Sequence, residues 1–370
     1  MNDTVSLSSI RSKVEAGGRL TPAEGLHLLT EAPLVPLGQL AQRERFRRHP
    51  EPVVTYVVDT NPNYTNVCET DCLFCAFYRK PGDPDAYLYT VEEMVERIRQ
   101  HAQLGATTVL LQGGNHPGLT LDYHVALVRE CRRQVPGVTP HFFSPPEIRT
   151  LARVSGRTVR EVLQALWDAG QRTLPGGGAE ILSNRVKRRI SPKKGTAEDW
   201  LEVMREAHRI GFRSTATMMY GHVETDAEVL EHLDRLRSLQ DETRGFTAFV
   251  PWCFKPANTW LEPKVQHVPG PNRYLRILAV ARLYLDNFDH VQASWFSEGK
   301  KTGQVALHFG ADDFGGTILE ESVLASAEHI NRASVEEIRD LIRESGFIPA
   351  QRTTEYQILQ RFEEAPVRLR

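Results

Sequence analysis

From Val53 onward the chain alternates between short β-branched or apolar runs and segments of helical period, and this alternation restricts the folds open to it. The runs fall at 53–58, 107–111, 141–143, 171–174, 214–218, 246–250, 290–294 and 304–308. Between them, Val91, Met94, Val95 and Ile98 follow the spacing of a buried helix face, and Val229, Leu230, Leu233 and Leu236 cluster likewise. Capping boxes mark helix starts at Thr90 with Glu93, Thr158 with Glu161, Thr225 with Glu228 and Ser334 with Glu337. Strand–helix alternation implies a parallel sheet with helices outside it. Eight such units without a composition break predict an α/β fold, a closed (βα)8 barrel of TIM type. A partial six-strand barrel with a C-terminal extension is the alternative.

Residues 1–50 read as a helical cover on this barrel, with Thr21 placed to cap a helix and Pro22 at its first position. The barrel domain is expected over 51–360 and a short tail over 361–370. Net charge is −2 with a pI near 6.7, a balance that asks for neither nucleic acid nor a membrane surface. No apolar run approaches the roughly 20 residues that span a bilayer. Met1-Asn2-Asp3-Thr4 lacks the charged-then-apolar layout of a signal peptide, so a cytoplasmic protein is expected.

Of the five cysteines, Cys68, Cys72 and Cys75 crowd into eight positions directly after the first expected strand. An odd, clustered set is a poor disulfide framework and a good metal site in a reducing compartment. The spacing C-x3-C-x2-C supplies three thiolates from one loop at a strand's C-terminal end, where barrel enzymes place their chemistry. Iron–sulfur clusters are held by cysteine thiolates, usually four. Neither Cys131 nor Cys253 has matching context, so one iron would stay open to a ligand, as a catalytic metal keeps a position free. A zinc site is the competing reading, but zinc usually wants paired C-x2-C elements and no second pair exists.

Other loops at strand ends carry polar and glycine-rich motifs. Gln112-Gly113-Gly114-Asn115-His116 follows the second strand, where two glycines let a ligand approach the backbone or simply make a turn. Three glycines and Glu180 follow the fourth, and Glu180 suits either ribose hydroxyls or the charge of a helix start. His222 and Glu224, after the fifth, are proton-transfer or ligand candidates. Asp312 and Asp313 lie between glycines after the eighth; as acceptors they suit polyol hydroxyls, while a metal or a plain turn are the rivals.

With Phe74 before the last cysteine, the C-x3-C-x2-C loop resembles the signature of the radical S-adenosylmethionine (radical SAM) superfamily. The resemblance implies a [4Fe-4S] cluster on Cys68, Cys72 and Cys75 whose open iron binds the amino and carboxylate groups of S-adenosylmethionine. Reductive cleavage then releases a 5′-deoxyadenosyl radical. Contacts to that cosubstrate are implied for Phe74, Tyr78, Gln112, Gly113, Gly114, Ser144 and Glu180. From Tyr56 to about Tyr356 the chain is similar to the branch containing the futalosine-pathway enzymes of menaquinone biosynthesis and their deazaflavin-cofactor relatives. The matching stretches are Asn63-Tyr64-Thr65-Asn66, 175–181, Tyr220-Gly221-His222 and 306–317. Three more, 111–117, 142–148 and 293–299, resemble the ring-closing members rather than those that form aminofutalosine.

That resemblance implies hydrogen abstraction from the ribose of dehypoxanthine futalosine, attack of the sugar radical on the benzoate ring, and loss of an electron and a proton to give the cyclic product. Its partners would be this small substrate and an electron donor such as flavodoxin or ferredoxin. Substrate contacts are expected from Asn115, Asp312, Asp313 and Thr317, and proton transfer from among His116, Glu180, His222 and Glu224. Arg273 and Arg352 are candidate benzoate partners, although surface arginines are commoner. The rivals are a sibling enzyme of the branch, an iron–sulfur carrier or sensor, and a barrel that only binds.

Overall fold

The computed structural model describes residues 5–363, so most of the expected tail, 364–370, lies outside the described residues. Eight parallel staves form the barrel. The first is β1 (Val53–Val57), which runs on through Val58 into β2 (Asp59–Thr60). The next are β3 (Thr108–Leu111), β4 (Thr139–Phe142), β5 (Thr173–Leu174), β6 (Arg213–Tyr220), β7 (Phe246–Cys253) and β8 (His290–Val291). From β2 to β8 these make one parallel sheet in sequence order. The ring closes through β9 (Asp313–Gly316). It pairs parallel with β1, and reaches β8 through a parallel bridge at Gln292 and a 2.7 Å bond from Ala293 N–H to the Asp313 carbonyl.

The expected eighth strand at 304–308 is not one: Lys300–Ala306 is a helix, and the closing strand comes seven residues later. Val305 turns outward while Gly303 and Ala306 are buried, a helical rather than alternating pattern. The true stave, Asp-Phe-Gly-Gly, has the composition of a turn. Its glycines answer to neighbours far away in sequence: a Cβ on Gly316 would sit 2.1 Å from the Asp59 carboxylate. The other seven runs overlap observed strands.

Period-2 alternation divides the strand side chains. Thr215, Thr217 and Met219 of β6 face a central cavity, while Ala216, Met218 and Tyr220 enter the layer between barrel and helices. The expected caps form as reciprocal boxes at Thr90, Thr158 and Thr225; at Ser334 only the hydroxyl half is made.

Three helices, Leu7–Glu15, Pro22–Thr30 and Leu34–Arg48, precede the barrel, and the third packs along Pro271–Tyr284. Arg45, fully buried, donates to the carbonyls of His49, Glu51 and Val53 and so fixes the turn into β1. At the C-terminal end, β10 (Ile348–Arg352) adds parallel to β1, and β11 (Ile358–Arg361) pairs antiparallel with β10. Residues 352–356 thereby reach under the barrel and close its base. Among the described residues no helix is long and apolar enough to cross a membrane.

Candidate active site

The cysteine loop is tied down by backbone bonds to three neighbours: Cys68 N–H to Arg79, Glu69 N–H to Asn115 and Leu73 N–H to Ile190, each to a carbonyl. Asp71 adopts a left-handed φ of 35° at the turn between the first two cysteines. Thr70 Oγ1 lies 2.9 Å from Cys68 Sγ and 3.8 Å from Cys72 Sγ, and accepts from Asn115 Nδ2 at 3.3 Å. Gly113 and Gly114 press on this loop: a Cβ would lie 2.5 Å from the Tyr64 ring at the first and 2.2 Å from the Val67 carbonyl at the second. Close packing of protein against protein thus already demands glycine at both positions.

All three thiols are free. Burial pushes Cys72 up to about 12 and raises Cys75, with Lys194 opposing. Three soft donors gathered on one rigid loop, poor thiolates until a cation joins them, fit an iron–sulfur cluster. Cys75 and Phe74 form part of the wall of a ≈ 350 Å³ cavity inside the barrel. Two other cysteines, Cys131 and Cys253, are buried away from it.

Around the mouth, Gln112, Gly113, Ser144, Gly176–178 and Glu180 line the same cavity. Glu180, held at a left-handed φ of 45°, accepts from Lys194 Nζ at 2.9 Å and lies 3.5 Å from Lys187 Nζ. Burial would raise its carboxyl, but the two ammonium groups prevail and keep it below the usual range. Lys194 Nζ also sits 5.0 Å over the Phe74 ring. Glu147 caps its own helix and ties Ser144, Tyr64 and Gly113 together through four hydrogen bonds.

Deeper, the wall is Asp59, Thr108 and His141, and residues 352–356 provide Arg352, Thr354 and Tyr356. Arg352 is buried and forks onto Asp313, with Nε at 2.5 Å from Oδ2 and Nη2 at 3.0 Å from Oδ1. Its remaining bond goes from Nη1 to the Thr353 carbonyl. Five guanidinium donors less these three leave two for another partner. Arg273, by contrast, pairs with Asp226 outside the cavity.

Several residues singled out from the sequence stand elsewhere. Gly114, Asn115 and His116 lie behind the cysteine loop, around a small second hollow. His116 Nδ1 accepts from the Gly118 N–H. His222 and Glu224 are closed on each other and on the Gly221, His222 and Val223 backbone, and neither lines the cavity; Tyr78 does not line it either. Asp312 is at the barrel floor, bound by Arg282 and His290, with His49 at 3.5 Å. Asp313 is consumed by Arg352 and Thr55, and Thr317 Oγ1 bonds the Asp59 backbone. Asp59, His141, Lys194 and Tyr356 were missed. Asp59 carries a readable signal, a charged residue at the C-terminal end of a barrel strand, but the apolar run at 53–58 ends one residue before it.

A model of the radical SAM superfamily matches residues 62–236, and a model described as the CofH/MqnC C-terminal region matches 243–365. The cyclic dehypoxanthine futalosine synthase of Halalkalibacterium halodurans is 40% identical over 97% of both chains. An aminodeoxyfutalosine synthase of Thermus thermophilus is 39% identical over 95% of both. A 5-amino-6-(D-ribitylamino)uracil–L-tyrosine 4-hydroxyphenyl transferase of Methanopyrus kandleri is 43% identical over 82% of this chain and 84% of that one. Among solved structures, the hydrogenase maturase HydG superposes with a TM-score of 0.74 at 17% identity, over 93% of this chain and 75% of its own. Methylornithine synthase PylB gives 0.71 at 18%, over 92% and 97%. At such identities these two speak for the fold.

Proposed function

The chain belongs to the radical SAM superfamily, in the branch that carries the CofH/MqnC C-terminal region, and from this membership we propose that it closes a ring in dehypoxanthine futalosine. The observation that carries the reading is the cysteine loop opening onto a cavity inside the barrel whose wall also holds a buried arginine. Cys68, Cys72 and Cys75 would hold a [4Fe-4S] cluster, and Phe74, Gln112, Gly113, Ser144 and Glu180 would surround S-adenosylmethionine. Together these groups supply a 5′-deoxyadenosyl radical when bound and reduced.

The rest of the task falls to this chain's residues. Arg352, with two donors spare, suits the substrate's benzoate at the base of the cavity. Held there by Asp313, it would orient the ring beneath the ribose, so that a bimolecular-looking coupling becomes a positioned one. Apolar wall residues such as Val250, Trp252 and Phe296 exclude water from a radical reaction. The flanking stretches 111–117, 142–148 and 293–299 favour ring closure over the sibling activity. A reducing cytoplasm suits three unpaired thiols, and a flavodoxin or ferredoxin suits the electron delivery.

The nearly equal identity to an aminodeoxyfutalosine synthase favours a second reading, that sibling reaction. Anaerobic reconstitution with iron and sulfide, then dithionite, S-adenosylmethionine and dehypoxanthine futalosine, separates the two. Ring closure requires 5′-deoxyadenosine and a cyclised product together; deoxyadenosine alone moves the assignment to the sibling.

A further inference from the structure

Four acids line the cavity: Asp59, Glu147, Glu180 and Glu321. Three are already committed. Glu147 is saturated by four hydrogen bonds, Glu180 is held by two lysines, and Glu321 accepts from the N–H groups of Val323, Leu324 and Ala325. Asp59 differs. Its Oδ1 accepts from Ile318 N–H at 2.8 Å, and its Oδ2 has no partner among the described residues. Among the described residues no cation lies within salt-bridge distance of it.

The fold keeps room for this carboxylate. A Cβ on Gly316 would come within 2.1 and 2.2 Å of its two oxygens, so any side chain there would displace it. Thr317 Oγ1 brackets its backbone, 3.2 Å from the N–H and 3.3 Å from the carbonyl. The other candidate base in the wall is His141, whose buried Nδ1 is unpartnered. Burial beside Arg352 pushes that imidazole down to about 3, which makes it a poor proton acceptor at neutral pH.

We propose that Asp59 is the base that takes the aromatic proton when the ring closes, an inference that rests on the ring-closing reading above. The ribose C–H bond breaks homolytically and its hydrogen atom makes 5′-deoxyadenosine. The sugar carbon radical adds to the benzoate ring, forming the C–C bond and leaving a cyclohexadienyl radical. The tetrahedral ring carbon then gives its proton to Asp59 Oδ2, while one electron leaves for an acceptor of the iron–sulfur class, and aromaticity returns. Burial raises the Asp59 carboxyl to about 6, outweighing the pull of Ile318 N–H and Arg352. It is therefore mostly ionised at pH 7 and still basic enough to accept.

The test is Asp59→Asn in the reconstituted holoenzyme, which keeps an acceptor for Ile318 but cannot take a proton. Calorimetry should find substrate affinity within about threefold of wild type, and 5′-deoxyadenosine release should persist. Cyclised product should fall by about 100-fold or more, with a substrate radical visible by electron paramagnetic resonance. In the wild-type protein, product formation should fall about tenfold per pH unit below about 6 while deoxyadenosine release does not, a check that needs no variant. Product at the wild-type rate in D59N overturns the role, because Asp59 would then serve at most as a neutral hydrogen-bond donor. Loss of deoxyadenosine together with product overturns it too, placing Asp59 before ring closure. A wild-type protein that makes no cyclised product removes the ring-closing reading itself and the base with it.

Discussion

The two ends of the barrel treat charge in opposite ways. At the floor, Arg282 donates to the Gly310 and Asp289 carbonyls and to Asp312, which also takes His290 Nδ1 at 2.5 Å and the Val291 N–H. His49 stacks on His290, and His290 on Tyr356, so the paired carboxylate is also covered by rings. The ligand-capable atoms of His49, His290 and Asp312 lie within 4.8 Å of one another, but the guanidinium already neutralises the carboxylate they share. Inside the cavity, groups are left wanting partners among the described residues: Asp59 Oδ2, His141 Nδ1 and two Arg352 donors, with three thiols free of disulfides at its mouth. A fold tolerates unpaired buried polar groups at a cost of about 1–3 kcal/mol each. Asp59, His141 and Arg352 share the wall of one cavity, so a single ligand there could complete all three.

Removing the mouth's thiols should break the contrast most completely. Cys68→Ala, Cys72→Ala and Cys75→Ala should each abolish turnover and the iron content measured after reconstitution. Cys131→Ala and Cys253→Ala, buried in an outer helix and at the end of β7, should leave the iron unchanged. Equal iron loss in all five would contradict the assignment.

At the floor, the expected damage is to stability and not to chemistry. Arg282→Met strands the buried Asp312 carboxylate, and breaking a buried pair from one side costs about 3–5 kcal/mol. Chemical denaturation should register that loss while the iron content of the folded fraction stays at the wild-type value.

Acid offers a graded version of the comparison. Burial pushes His124 down to about 4, and His141, His208 and His232 to about 3, so each is neutral in the folded chain at pH 5. Unfolded, each titrates at its ordinary 6.5, so between there and its folded value the unfolded state binds more protons. Stability is thus complete above 6.5 and falls as pH drops, by up to about 1.4 kcal/mol per pH unit for each histidine. Urea midpoints at pH 7 and pH 5 measure this; a flat profile would mean these rings are reached by water.

The smallest effect belongs to His116, which the sequence put among the catalytic candidates. It sits behind the cysteine loop with a local bond to Gly118, so His116→Ala should change stability by about 0.5 kcal/mol or less. Its kcat should stay within about threefold of wild type, and a hundredfold loss would return it to the site.

Local signals were legible wherever neighbours in sequence do the physical work. The boxes at Thr90, Thr158 and Thr225 were readable because cap and partner are three residues apart. Cys68, Cys72 and Cys75 were readable because one loop carries them all. Reading failed where the partner is remote. β9 looked like a turn, because the reason for its glycine, the Asp59 carboxylate, lies 257 residues earlier in the chain. His222 and Glu224 looked available, but a tight turn closes them on each other. Arg352 looked like a surface arginine until β10 carried it beneath the barrel.

By itself, then, the sequence determined the strand–helix order, the helix starts and the three-thiol loop, since periodicity, caps and short spacings are written within a few residues. Only the tertiary structure decided which acids are spent and which is free. Whether a carboxylate is paired depends on side chains brought to it by closing the ring, as Arg352 is to Asp313 and, among the described residues, no cation is to Asp59.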